Sequence, residues 1–144
     1  MWQRKQTLYM LAAAGLMVAM CIAPLARYIV DGNEGALVSF DYWWLGGLVA
    51  LAALVPFVTI FLFKDRLLQV RLLVADVVLL LGAQGFGLWA ALGFTATAKA
   101  AGEVAVGYVC TPVVFPIVSV ILVILAIRGI WKDEVLVRSL NRIR

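Results

Sequence analysis

Thr111-Pro-Val-Val-Phe-Pro-Ile-Val-Ser-Val-Ile-Leu-Val-Ile-Leu-Ala-Ile127 runs directly into Arg128-Gly-Ile-Trp-Lys-Asp-Glu-Val-Leu-Val-Arg-Ser-Leu-Asn-Arg-Ile-Arg144, and this junction decides the fold. The apolar half is long enough to cross a bilayer as a helix, which takes roughly 20 residues at about 1.5 Å each. The tail carries five cations against two acids, the balance of a segment kept in the cytoplasm. Alternation then assigns a side to every segment upstream.

The whole composition agrees with that reading. At 65% hydrophobic and 14% charged, with mean hydropathy +1.06, the chain lacks the polar residues to face water on all sides. The apolar runs are continuous, whereas the strands of a membrane barrel alternate over about ten residues. The expected fold is all-α: an integral membrane four-helix bundle, antiparallel, with N- and C-termini cytoplasmic. It forms a single domain with spans at about 7–26, 44–63, 72–94 and 111–130 and a basic tail at 131–144.

The charges follow the same alternation. Arg4, Lys5, Lys64, Arg66, Arg71, Arg128, Lys132, Arg138, Arg142 and Arg144 fall on the inside, and Arg27 and Lys99 on the outside. This ten-to-two asymmetry accounts for the basic pI near 9.4 without a nucleic-acid partner. Thr7–Ala26 carries no charge and is longer than the apolar core of a signal peptide, so it reads as an uncleaved first span. Arg27–Asp41 reads as an acidic outside loop with a turn at Asp31-Gly-Asn33. Tyr42-Trp43-Trp44 suits the headgroup level, with an aromatic ligand platform as the lesser reading. Lys64–Arg71 reads as a tight inside loop, and Thr95–Cys110 as a mild outside one.

Within the spans few residues carry chemistry. Asp76 and Gln84 lie in the third span and form the candidate intramembrane polar site. An ionised aspartate at the bilayer centre costs about 2.5–3.5 kcal/mol on insertion scales, so Asp76 should pair with Arg71, Lys64 or Arg66, or else handle a proton or ion. Gln84 sits among Gly82, Gly85 and Gly87, where small residues favour helix packing. Cys21 and Cys110 fall toward the same face, which admits either a disulfide clamping spans one and four or two unpaired thiols. With two cysteines and no histidine, no metal or cofactor is expected. The acids are scattered among loops and cations, so no catalytic residues are assigned and an enzyme is not expected.

The two ends carry a resemblance. Met1-Trp-Gln-Arg-Lys-Gln-Thr-Leu-Tyr9 and Lys132-Asp-Glu-Val-Leu-Val-Arg-Ser-Leu-Asn-Arg-Ile-Arg144 resemble the domain-of-unknown-function 4293 family of small four-span membrane proteins, typical of the Bacteroidetes. Members look like M-x-Q-R-x-Q-[ST]-x-[YF] at the start and K-D-E-x-L-V-[RK]-S-x-[DN]-R-[IL]-R at the end. Asn141 stands where Asp is more frequent, and Lys5 where an apolar residue is common. The resemblance implies a bacterial inner-membrane address and this architecture, and it carries no catalytic residues.

Two functional classes fit. One is a structural or accessory subunit binding other membrane proteins. In its tail Trp131, Val135 and Leu136 share a helical face with Leu140 and Ile143, while Lys132, Arg138, Arg142 and Arg144 stay polar. Such a tail contacts either the anionic inner leaflet or a membrane-protein partner. The other class is a small-solute or ion transporter component, a homo-oligomer using Asp76 and Gln84. On this topology, a reporter active only outside the cytoplasm is expected to work when fused after Glu34 or Lys99. It should be silent after Arg66 or Arg144; activity at either of those positions would overturn the threading.

Overall fold

Inside lipid a backbone has only itself to hydrogen-bond to, so each charge-free run becomes a helix. A computed structural model, which describes residues 2–30, 33–62, 64–100 and 111–141, contains four: α1 (Trp2–Ile22), α2 (Trp43–Phe61), α3 (Arg66–Ala100) and α4 (Thr111–Asn141). Each is long and apolar enough to cross a membrane. α1 packs against α2 and α4, and α3 packs against the same two helices. This places the four in a ring in chain order, which the sequence had left open.

The faces turned inward share one spacing. Gln6, Met10, Ala13, Met17 and Met20 are buried on α1; Leu45, Val49, Ala52, Pro56 and Thr59 on α2. On α3 the buried series is Gln69, Leu73, Asp76, Leu80, Ala83, Gly87 and Ala90, and on α4 it is Pro116, Ser119, Val123, Ala126 and Ile130. Every step is three or four residues, the seam of a knobs-into-holes bundle. Large and small side chains are mixed along each seam, as in Met10-Ala13-Met17 and Leu80-Ala83-Gly87. The exposed surface holds the larger apolar groups, among them Leu54, Phe57, Phe61, Val78, Leu81, Phe86 and Trp89. A membrane protein distributes its residues this way, with bulk toward lipid and small residues where helices meet.

Two prolines sit inside helices. Pro56 interrupts α2 and Pro116 lies in the early part of α4; each removes one backbone donor. Near Pro56 the Thr59 hydroxyl donates to the Val55 carbonyl, and Gln69 Nε2 donates to the Thr59 carbonyl at 2.9 Å. These side-chain bonds add to the backbone ones on the C-terminal side of Pro56, where the Thr59 carbonyl also accepts from Leu62 N–H at 3.2 Å.

The helix bounds depart from the expected spans. α3 covers 35 residues, about 52 Å of helix, so the expected inside loop at Lys64–Arg71 is mostly its first turns and Thr95–Ala100 its last. α4 continues from its span into the tail without a break over 31 residues. Arg27–Asp41 is not a plain loop. Strand β1 (Ala26–Val30) pairs antiparallel with β2 (Asn33–Leu37), Ala26 opposite Leu37 and Val30 opposite Asn33. The connecting Asp31-Gly32 is the dipeptide that favours a two-residue hairpin turn; both residues lie outside the described ones. Leu25 N–H adds a bond to the Leu37 carbonyl at 2.6 Å.

After β2, a short 3₁₀ turn at Ser39–Asp41 lies on the start of α2. Ser39, fully buried, donates to the Met20 carbonyl at 3.0 Å, tying this turn to the end of α1. The contact is close because Gly46 has no side chain: a Cβ there would sit 2.6 Å from Phe40 Cδ1 and 3.2 Å from its Cα. A Cβ on neighbouring Gly47 would meet nothing within 4 Å. Gly46→Val is expected to destabilise the bundle by about 1–3 kcal/mol through overpacking. Gly47→Ala should instead be neutral or stabilise it by up to about 1 kcal/mol. Thermal unfolding in detergent reads both, and equal shifts would remove the special role of Gly46.

Candidate functional site

The seam of α3 carries the only carboxyl among the described residues buried in the bundle core. Asp76 lies two helical turns beyond Gln69 on the same face, between Leu73 and Leu80, and is 0% exposed. Neither of its oxygens has a hydrogen-bond partner among the described residues. The pairing expected with Arg71, Lys64 or Arg66 is not formed. Arg66 points its Nη1 toward Glu134 Oε2 at 4.0 Å, while Lys64 and Arg71 are exposed. Helix geometry explains the miss, since Arg71 and Asp76 differ by five residues and so project from opposite sides of α3. Gln84 is half-buried, and its Oε1 likewise lacks a partner among the described residues. It stands eight residues from Asp76, about 12 Å along the helix, so the two form no single cluster. Ala83 and Gly87 are both buried, which fits the packing role read for that patch.

A second polar region gathers where the start of α1 meets the late part of α4. Gln6 Nε2 donates to Asp133 Oδ2 at 2.9 Å across 127 residues of sequence. Glu134 accepts from Arg138 Nε at 3.0 Å on its own helix and faces Arg66 of α3. These contacts hold α4 in line with the bundle well past its apolar run. At about 100° per residue, Leu136 and Leu140 lie roughly opposite Trp131 and Val135, so the tail presents two apolar pairs rather than the single face expected. The Trp131 side leans toward Arg66, Leu67 and Val70 of α3. Leu136 and Leu140 are 61% and 68% exposed, and Val135, at 59%, is as open. Lys132 and Arg138 are exposed, and Arg142 and Arg144 lie outside the described residues.

The aromatic cluster is divided. Trp43 is 84% exposed, as an interface anchor would be, whereas Trp44 joins α2 to α3 through Phe86 at 5.2 Å and Trp89 at 6.3 Å between ring centres. These rings edge an apolar groove of about 530 Å³. Cys21 is a half-buried free thiol beside a second apolar groove, and Cys110 lies outside the described residues.

Sequence reading missed the Gln6–Asp133 and Gln69–Thr59 contacts and the place of Ser119 in the α4 seam. The available signal was the interval of three and four, which places each of these polar residues in register with Met, Ala, Leu or Val. If Asp76 contributes no cohesion, Asp76→Val should match or exceed the stability of the natural chain by about 1–3 kcal/mol. Asp76→Asn should change it less. Thermal midpoints in detergent read both, and a marked loss in Asp76→Val would reveal a partner for the carboxyl.

Neither the curated proteins nor the solved structures contain a match to this chain. The family described as a domain of unknown function (DUF4293) matches residues 2–143, which takes in all four helices and the basic ends, and the chain belongs to that family.

Proposed function

We propose that this protein is an accessory subunit of a larger assembly in a bacterial inner membrane. Its four spans are antiparallel, both termini lie in the cytoplasm, and it carries no reaction of its own. The observation that carries the reading is the unbroken course of α4 to Asn141 with Leu136 and Leu140 uncovered. A helix that lies on the leaflet must turn away from its span by about a right angle. Here Gln6–Asp133 and Arg66–Glu134 hold α4 along the bundle instead. Its last turns then stand clear of the lipid, and an apolar pair in water is stabilised by a partner surface. A cytoplasmic helix of another membrane protein is the occupant that fits, with Lys132 and Arg138 as its polar rim.

A second reading has one observation in its favour: the unpartnered oxygens of Asp76 and Gln84. Intramembrane ionisable groups serve ion and solute pathways by default, and a homo-oligomer would supply the walls that one bundle lacks.

Gentle extraction of the natively expressed chain, followed by sizing and mass spectrometry, separates the two. The accessory role predicts a stoichiometric membrane-protein partner that is lost from Leu136→Glu/Leu140→Glu, with the amount of chain in the membrane unchanged. A homo-oligomer without a partner, whose solute uptake disappears in Asp76→Asn while assembly persists, would establish the transport reading instead. A bare monomer would sink both.

A further inference from the structure

Lys5 is the last charge before the charge-free stretch of α1, and Arg128 is the first charge after the charge-free stretch of α4. The packing of α1 on α4 sets these two boundaries side by side. Between them is a notch of about 210 Å³ lined by Lys5, Gln6, Tyr9, Leu125, Arg128 and Lys132, with Gly129 at its base. We propose that this notch binds a phosphate group, carried by the headgroup of an anionic membrane lipid.

Three features fit that ligand. The lining contains Arg128 and Lys132 beside Lys5, which already has a contact of its own, and no acid; Asp133, the next residue after Lys132, is hydrogen-bonded by Gln6. Charge-assisted donors from ammonium and guanidinium groups are the usual partners of phosphate oxygens, and the Tyr9 hydroxyl adds a neutral one. The volume equals roughly seven waters at about 30 Å³ each, space for a phosphate with its flanking oxygens. The depth is also right. Charges that end a hydrophobic span sit at headgroup level, and basic pockets between spans are lipid-headgroup sites. Directly along α4 from Leu125, Ile121 is exposed and apolar, a surface on which the acyl chain of the same lipid can lie. Anionic headgroups meet such basic pockets on the cytoplasmic side, so the inference rests on the cytoplasmic placement of this end proposed above but not on the accessory role.

Gly129 shapes the base. A Cβ there would fall 2.9 Å from Gln6 Cγ and 3.0 Å from its Nε2, displacing the side chain that bonds Asp133. Alanine at this position would therefore disturb both the notch and the α1–α4 contact.

The test is native mass spectrometry of the full chain in neutral detergent, titrated with phosphatidylglycerol, phosphatidylcholine or inorganic phosphate. The expected result is selective retention of phosphatidylglycerol. It should fall about thirtyfold in Arg128→Gln/Lys132→Gln, since each of the two cations near a membrane surface contributes about 1 kcal/mol. Lys64→Gln/Arg71→Gln removes the same charge outside the notch and should change retention less than about twofold. Lys132→Gln alone gives a partial loss should the double variant not fold. Retention that survives millimolar inorganic phosphate supports the lipid as the source; displacement by it would assign the notch to free phosphate and overturn the lipid assignment. Equal losses in the two double variants would reduce the effect to general surface charge and overturn the site. Unchanged lipid retention with loss of a co-purifying protein would give the notch to that protein and overturn the proposal as well.

Discussion

Close approach of backbones along the four seams is the constraint on which this structure depends. In lipid, helices gain nothing by hiding leucine from a solvent that is itself hydrocarbon, so association rests on packing contacts and a few hydrogen bonds. Ala13, Ala52, Ala83, Gly87, Ala90 and Ala126 are buried at the interfaces. They let Met10, Met17, Val49, Leu80 and Val123 interdigitate. The ring arrangement follows, because each helix presents one seam and meets its two neighbours through the flanks of that seam.

Polar residues in the same register act on this frame as local ties. Gln69 and Thr59 join α2 to α3 near one end of the pair, Gln6 and Asp133 join α1 to α4, and Ser39 fastens the 3₁₀ turn to the end of α1. Ser119, whose hydroxyl lies 3.5 Å from the Ala13 carbonyl, is a weaker version of the same device. Asp76 has the register without the tie. Its carboxyl is buried without a hydrogen bond among the described residues, which is why it stands apart from the other polar seam residues and remains the focus of the transport reading.

The end of the bundle that holds the start of α1 and the late turns of α4 differs in character from the rest. The surface of the four spans is largely apolar, while this end combines cations, two bonded acids and the exposed pair Leu136–Leu140. Both functional inferences are located there. The notch lies at the level where the spans acquire charge, and the leucine pair lies one to three turns beyond it. A lipid at the first and a protein helix at the second would occupy neighbouring surfaces that meet at Lys132.

The sequence alone determined that there are four helices, where each apolar run lies, and the family, because the demand that lipid makes on a backbone is met within each segment and so is written locally. It also marked Asp76 and the tail as the residues to watch. It marked the turn at Asp31-Gly-Asn33 but not the strands on either side of it, and it misplaced helix ends: α3 and α4 run beyond the expected spans at Arg66 and Trp131, since a helix can outrun the hydrocarbon without any change in propensity, whereas α1 stops at Ile22. The inward faces were legible only in outline: when nearly every residue of a span is apolar, hydrophobicity no longer distinguishes inside from outside, and size does. Partners for Asp76 were misjudged for a related reason, as nearness in sequence to Arg71 says nothing about which side of α3 each occupies. Only the tertiary structure decided the ring order, the Gln6–Asp133 contact and the notch, because the contact, the notch and the packing of α1 on α4 that closes the ring join segments about a hundred residues or more apart, and no local rule of helix formation relates them.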